Sequence, residues 1–153
     1  MTRQKIPSIV SATFTPAAAA YGAGDIMEGA KVFTNLGPQG GGVIKIIGAS
    51  LRVDASALQA SEAAYTLHLY NVTPPSALAD NAAWDLPSGD RASYLGKIAL
   101  GTPVDLGSTL WVETHTFNKR IKCLSANIYA YLATDAGFTP TAAARVVTLY
   151  TDL

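Results

Sequence analysis

The residues that could do chemistry in this sequence are few and far apart. His68 and His115 each lie in the middle of a separate β-like run, so neither has the nearby histidine partner that local metal sites use. Cys123 is the only cysteine, which excludes an internal disulfide and a multi-cysteine zinc site, and we expect a small buried thiol. The G-x-S-x-G pattern of a hydrolase nucleophile is absent. We therefore predict no catalytic residue, no metal site and no cofactor, and expect that the protein is not an enzyme.

One irregular segment, 76–91, brings carboxylates close to an aromatic ring in the sequence. Asp80, Asp85 and Asp90 flank Trp84 there. Paired carboxylates beside an aromatic ring are typical of a glycosidase or a sugar-binding loop, and their oxygens are also suitable ligands for calcium. The commoner role of such aspartates is to accept hydrogen bonds from nearby backbone amides in turns and helix caps. We favour that structural role and keep sugar binding as an alternative.

The elements that would position these residues are β-strands. Alternating polar and apolar runs, rich in β-branched and aromatic residues, recur along the chain between Gly, Pro, Asn and Asp clusters. They predict about eight strands, drawn from 6–15, 25–34, 43–54, 65–72, 94–100, 110–116, 119–124, 127–133 and 145–150. Gly48 predicts a bulge or a close packing point, 55–64 a connecting loop, and Asp80 to Trp84 a short helical turn. The whole pattern predicts an all-β fold, an antiparallel two-sheet sandwich that is jelly-roll-like.

Length and composition fit one domain. We divide the chain into an N-terminal arm with the first strand, 1–15, and a β-sandwich domain, 16–153. Charged residues make up 14% of the sequence, against roughly 25% in typical soluble proteins. That supply of charge is low for the surface of an isolated domain, so we expect part of the surface to contact a protein partner. A sandwich could also cover itself with Ala, Thr, Ser and Gly, so the composition permits this interpretation without requiring it.

The charge pattern argues against two classes of partner. Lys plus Arg and Asp plus Glu number 11 each, whereas a nucleic-acid binder needs a basic face to neutralise phosphates. The one short basic run, Lys119 to Lys122, predicts a solvated strand end or a charge patch that faces a partner. No apolar stretch reaches the ~18 residues of a membrane span, and the N-terminus lacks the apolar core of a signal peptide. We expect neither nucleic acid nor a membrane as partner.

The amino-acid sequence resembles that of one group of proteins. The stretch 69–113, LYNVTPPSALADNAAWDLPSGDRASYLGKIALGTPVDLGSTLWVE, resembles small proteins encoded in the structural gene blocks of tailed bacteriophages and prophages. The resemblance extends from IPSIVSATFTP near the start to the last strand. In size, β content and low charge the chain is also similar to head decoration (cement) proteins. The resemblance implies a virion protein, made in the bacterial host cytoplasm, that binds the major capsid protein on the capsid surface as a homotrimer.

The contact residues expected on this interpretation fall in two places. They are Arg3, Lys5 and Ile6 in the arm, and Trp84, Leu86 and Arg91 in the irregular segment. Trp and Arg are common anchors of protein interfaces. Two alternatives stay open: another virion structural protein, from the tail, the connector or a fibre, and a carbohydrate-binding sandwich that uses Trp84 with Asp80 and Asp85.

Overall fold

The protein is built from β-strands joined by turns and loops. The computed structural model describes residues 8–152. Within that range it has ten strands, one 3-10 turn at Ser88–Asp90 and no α-helix. The strands are β1 (Ile9–Phe14), β2 (Ile26–Phe33), β3 (Gly42–Val53), β4 (Tyr65–Tyr70), β5 (Tyr94–Gly101), β6 (Val104–Asp105), β7 (Leu110–Thr114), β8 (Lys119–Cys123), β9 (Ile128–Thr134) and β10 (Arg145–Asp152). The all-β prediction is confirmed.

The strands pair in an antiparallel way and form two sheets. The first sheet has the order β1-β10-β3-β7-β6, with β8 also paired to β3, and the second has the order β2-β9-β4-β5. Strand β3 pairs with β8 through its first half and with β7 through its second half. Strands β7 and β8 therefore share one position beside β3, and β6 adds two residues at the edge.

This strand order is that of a jelly roll. Strands β1, β3, β7 with β8, and β10 lie in the first sheet, while β2, β4, β5 and β9 lie in the second. The chain therefore crosses between the sheets at most of its connections, and each sheet has four main strand positions. Two interlocked Greek keys of this kind define the jelly roll, so the predicted two-sheet sandwich is confirmed.

Strand β3 shows how alternation fills the space between the sheets. Its buried apolar residues are Ile44, Ile46, Ala49, Leu51 and Val53. The alternation changes phase between Ile46 and Ala49, where the register with β10 also shifts. Gly48 lies at this point, and a Cβ there would collide with the ring of His115. The predicted bulge or close packing point at Gly48 is confirmed.

A buried ion pair connects the 55–64 segment, which is a loop as predicted, to the start of β10. Nη2 of Arg145 lies 3.5 Å from Oε2 of Glu62, and both side chains are 1% exposed. The Tyr65 hydroxyl donates a hydrogen bond to the same carboxylate oxygen. The sequence pattern gave no sign of this pair, because Glu62 lies in a loop and Arg145 begins a strand.

The helical turn predicted for 80–84 is wrong. The backbone of this stretch makes three hydrogen bonds of 2.9–3.0 Å with segment 24–26, from the N–H groups of Asn81 and Trp84 and to the carbonyl of Ala82. These partners replace the i to i−4 bonds that a helix would need. The stretch therefore begins with a turn, closed by the bond from the Ala82 N–H to the Ala79 carbonyl at 3.1 Å, and then runs beside the start of β2.

Candidate functional site

The outer face of the second sheet is covered by the chain's own loop. Strands β4 and β9 present His68, Tyr70 and Tyr131 on this face, and all three are buried. Loop 71–93 supplies the cover with Leu78, Trp84 and Leu86. We call these six side chains, together with Tyr94, the outer cluster. It contains much of what the sequence suggested as chemistry, so its geometry decides several interpretations.

Trp84 lies at the centre of the outer cluster. Its ring stacks on the ring of His68, with centroids 3.8 Å apart and an interplanar angle of 7°. Its indole N–H donates to the Tyr70 hydroxyl at 3.0 Å, and the Tyr94 ring is 5.5 Å away. One ring face and the indole donor of Trp84 are thus engaged within the domain, and the side chain is half-buried.

The environment of His68 suits a side chain that packs in its neutral form. Burial and the nearby charge of Lys97 lower its pKa to about 4. Its Nδ1 lies 3.0 Å from the Tyr94 hydroxyl oxygen. A general acid or base works best when its pKa is near the working pH, so a histidine that stays neutral near pH 7 is poorly suited to proton transfer.

Asp80 anchors the loop to the body of the sandwich. Its Oδ1 accepts hydrogen bonds from the Tyr21 hydroxyl at 2.7 Å and from the backbone N–H of Glu28 at 2.6 Å. Burial and the bond to Asp80 raise the pKa of Tyr21 to about 12. The Asp80 carboxylate therefore accepts a hydrogen bond from a backbone amide, which is the role that the sequence analysis favoured.

Asp90 and Asp85 are used differently. Asp90 is 1% exposed, and its Oδ1 accepts bonds from the backbone N–H and the hydroxyl of Ser76 at 3.2 and 2.8 Å. Asp85 is exposed. Within residues 8–152, no group of three or more His, Cys, Asp or Glu side chains could hold a metal ion. Asp80 and Asp90 thus tether separate points of the loop, and Asp85 faces solvent.

Cys123 is a buried thiol on β8. Burial raises its pKa to about 11, so the thiolate that would act as a nucleophile is scarce at neutral pH. Gly37 packs directly on its sulfur, leaving no room for a Cβ. The side chain fills space in the core, as predicted.

The predicted contact residues lie in different environments. Arg3, Lys5 and Ile6 are outside the described residues. Trp84 and Leu86 are half-buried against their own sheet, and Arg91 is exposed just after the 3-10 turn. The chain thus brings Trp84 and Leu86 together in the outer cluster, and Arg91 is not part of it. Their contact with a partner stays a prediction.

No described loop covers the outer face of the first sheet, and sequence reasoning missed this surface. Its larger side chains include Ile9, Arg52, Val104, Trp111, His115 and Tyr150, and we call these six the open face. Ile9 is 69% exposed and Val104 60% exposed. Alternation along β7 identifies two faces of the strand, but only the path of the loops decides which face is left uncovered.

Two groups of side chains stand out on the open face. Trp111 lies opposite Arg52 on one side and opposite Val104 on the other. The rings of His115 and Tyr150 pack edge to face, with centroids 5.1 Å apart. These aromatic groups are half-buried or exposed and have no cover from the described loops.

Within residues 8–152, the structure has no helix with the length and hydrophobicity that a membrane span requires.

Comparison with known proteins finds similarity in fold at low identity. No protein-family model matches the chain, and no curated protein matches it. Among solved structures it is similar to a chain of the acidic stable capsid structure of Helicobacter pylori bacteriophage KHP30, at 11% identity and a TM-score of 0.39, over 98% of this chain and 92% of that one. It is also similar to the EclA C-terminal domain, a sugar-binding protein, at 11% identity and a TM-score of 0.38, over 93% and 78%. For infectious bursal disease virus Gx strain the values are 14% and 0.40, over 95% of this chain and 33% of that chain. At such TM-scores none of these likenesses carries an argument about function.

Proposed function

We propose that this chain is a structural protein of a tailed-bacteriophage virion that binds the outer surface of the assembled head and stabilises contacts between major capsid subunits. The observation that carries the proposal is the difference between the two sheets. Loop 71–93 covers the outer face of the second sheet, whereas the open face of the first keeps aromatic and aliphatic side chains in solvent. Uncovered apolar surface of this kind marks interaction sites.

The open face has the composition of an interface. Trp111 stands between Arg52 and Val104, and Tyr150 packs with His115. Trp, Tyr and Arg contribute most of the binding free energy in many protein complexes. The resemblance of the sequence to phage structural-block proteins adds the class of partner that this face would meet.

The groups that could do chemistry support a non-enzymatic role. His68 is stacked under Trp84, Asp80 tethers a loop, and Cys123 is a buried thiol of raised pKa. Each of these groups has an identified structural task. Binding is therefore the activity that the remaining surface serves.

The N-terminal arm would extend the contact made by the open face. Arg3, Lys5 and Ile6 directly precede β1, and β1 is an edge strand of the first sheet. A partner on the open face is thus next to the point where the arm begins, and ordering the arm against it would add contacts at an entropic cost. In loop 71–93, Arg91 is the exposed contact.

Trp84 and Leu86 complete the proposed contact set. Both are half-buried, so each keeps part of its surface in solvent while it holds the loop against the sheet. We propose that these exposed parts contact the partner beside Arg91. Their effect on binding is then partly indirect, because the shape of the loop depends on them.

The proposal has defined partners. They are the major capsid protein and other copies of the chain in a homotrimer, with neither nucleic acid nor a membrane involved. The protein is made in the bacterial host cytoplasm and joins the capsid surface after the shell has formed. A protein that binds only the assembled shell stabilises that state by mass action.

The test is binding to heads that lack the protein. Purified protein is mixed with expanded heads of the major capsid protein from the same genome, and co-sedimentation and light scattering measure binding and oligomeric state. We expect saturable binding by a trimer and heads that withstand a higher temperature. A folded protein that leaves the heads unbound would refute the proposal, and closed rings in place of trimers would favour a tail or connector protein.

Two matched variants test the surface itself. Val104→Asp places a charge on the open face and should weaken binding by roughly tenfold or more, because an unpaired charge buried in an interface costs well over about 1.4 kcal/mol. Val32→Asp makes the same change at an exposed valine on β2, an edge strand of the other sheet. It should bind like the wild type. Equal losses in the two variants would assign the effect to something other than the open face.

A further inference from the structure

A groove lies between the two sheets, apart from the open face. It separates edge strand β5 from the connection between β7 and β8, and its volume is about 410 Å³. That volume falls in the range of ligand sites, ~300–1,000 Å³. Its chemistry comes from Lys97 on one wall and from Thr114, Thr116, Phe117, Asn118 and Lys119 on the other.

Two lysines and no acidic residue are among the residues that line the groove. Lys97 lies opposite His68 in the pairing of β4 with β5, so its side chain starts from the outer face of the second sheet, at the β5 edge. Lys97 is close enough to His68 to help lower the pKa of that histidine. The Nζ atom of Lys119 lies 2.6 Å from the position that a Cβ on Gly96 would occupy. Among the ion pairs of residues 8–152, none involves either lysine. In a chain with equal numbers of both charges, this is a local positive site.

Gly96 is the residue that lets Lys119 reach into the groove. Its φ of +97° is in the left-handed region, which favours glycine. A side chain there would take the place of the Lys119 ammonium. The conformation of β5 at Gly96 therefore leaves the space that the Lys119 ammonium occupies.

Strand β5 also offers unpaired backbone groups to the groove. Among the described strands it pairs only with β4, so none of them occupies its other edge. The register with β4 shifts at both ends, which leaves 96–99 as the regular part. Residues 97–99 line the groove. A free edge can accept an extended peptide, and bulges restrict such pairing to a short segment.

We propose that this groove binds a short, extended, acidic segment of a partner protein. A carboxylate of that segment lies between Lys97 and Lys119, the hydroxyls and amide of Thr114, Thr116 and Asn118 bond to it, and Phe117 forms an apolar wall. The inference rests on the proposed function, and it adds a second contact site that is distinct from the open face. The alternative role for the lysines is to prevent another strand from pairing with the β5 edge.

The experiment is an NMR titration of the full chain with four probes. They are the capped peptide Gly-Asp-Glu-Asp-Gly, its neutral counterpart Gly-Asn-Gln-Asn-Gly, acetate and inorganic phosphate. We expect the acidic peptide to shift the backbone amides of 96–99 and 114–119, with an affinity that falls as salt is added. The neutral peptide should leave these signals in place.

Charge-matched variants show whether the two lysines carry the binding. Lys97→Gln and Lys119→Gln should each weaken the acidic peptide by roughly tenfold. Lys122→Gln removes the same charge from an exposed position on β8 outside the groove lining, and should bind like the wild type. All three positions lack fully buried side chains, so well-dispersed spectra are expected and confirm that each variant is folded.

The outcomes separate the groove from the proposed function. Amide shifts elsewhere, or none, overturn the groove site and leave the lysines with their alternative role at the β5 edge. Acetate or phosphate binding as tightly as the acidic peptide overturns the protein segment as ligand and identifies a small-anion site. A chain that binds heads without binding the peptide keeps the proposed function and loses the groove. Peptide binding without head binding keeps the groove site and refutes the proposed function.

Discussion

Replacing Glu62 by Gln removes the charge that faces Arg145 and keeps the size of the side chain. Both side chains are 1% exposed, so water does not screen them. The guanidinium would keep only the carbonyls of Thr141 and Ala143, at 3.2 and 2.6 Å, as acceptors. Breaking a buried ion pair by removing one partner costs about 3–5 kcal/mol. We expect Glu62→Gln near the lower end of this range, because Gln still offers an oxygen to Tyr65.

A double-variant cycle separates the pair from its surroundings. Arg145→Met alone leaves the Glu62 carboxylate buried with two donors, the Tyr65 hydroxyl and the backbone N–H of Gln59, and should cost as much as Glu62→Gln. The double variant removes both charges, so its loss should be smaller than the sum of the single losses by about 2 kcal/mol or more. Tyr65→Phe removes only the donated hydrogen bond and should cost about 1.5–3 kcal/mol.

Urea unfolding followed by tryptophan fluorescence measures these differences, and thermal unfolding should show a fall of about 6–12 °C for Glu62→Gln. Asp54→Asn is the matched control. Asp54 pairs with Arg52 at 3.4 Å, and the two side chains are 58% and 48% exposed, so the change should cost less than about 0.5 kcal/mol. A loss for Glu62→Gln that is no larger than the loss for Asp54→Asn would refute the reasoning, because the buried pair would then behave like a solvated one.

Three further predictions concern the outer cluster and the open face. His68 has a folded pKa of about 4 against an ordinary value of 6.5, so its contribution is complete above pH 6.5 and is lost as pH falls toward 4. About 1.5 kcal/mol of the free energy of unfolding should be lost between pH 6.5 and 5. His68→Leu should remove this pH dependence of the urea midpoint, and His115→Gln should leave it unchanged. Gly48→Ala should cost about 1–2 kcal/mol in urea unfolding, since the new Cβ meets the half-exposed His115 ring, whereas Gly89→Ala, with open space around it, should be nearly neutral. Trp84→Ala should cost about 2 kcal/mol and speed hydrogen exchange in loop 71–93 more than in the first sheet; unchanged exchange there would contradict its role as the loop's anchor.

Strand positions could be predicted because period-two alternation depends on local sequence. The third run was placed at 43–54, and the strand is Gly42–Val53. In the fourth, alternation placed Leu67 on one face and Tyr70 on the other, and both are buried. The pattern predicted the two faces of β4 correctly, but it could not reveal that loop 71–93 covers the face that carries Tyr70. That outcome depends on the path of a loop in space, which has no periodic signal.

The contrast between the two tryptophans has the same cause. Trp84 attracted attention because it lies in an irregular segment among aspartates, while Trp111 lies in an ordinary strand. The loop that carries Trp84 folds back onto its own sheet, and the strand that carries Trp111 has no such cover. Residue type suggested an anchor at Trp84 and passed over Trp111, but only the neighbouring strands and loops decide which side chain is free to meet a partner.

Strand β7 links the two surfaces that we propose for binding. Its outward residues, Trp111 among them, belong to the open face, and Thr114 at its end lines the groove. Strand β6 ends the first sheet beside β7 with only two residues, so this side of the sandwich presents a short edge. Because β7 contributes to both the open face and the groove, a partner that contacts both surfaces would have to approach around β6 and β7. Contacts on the open face and in the groove would then be separate parts of one interface, and the losses of binding free energy caused by Val104→Asp and Lys119→Gln should add in the double variant.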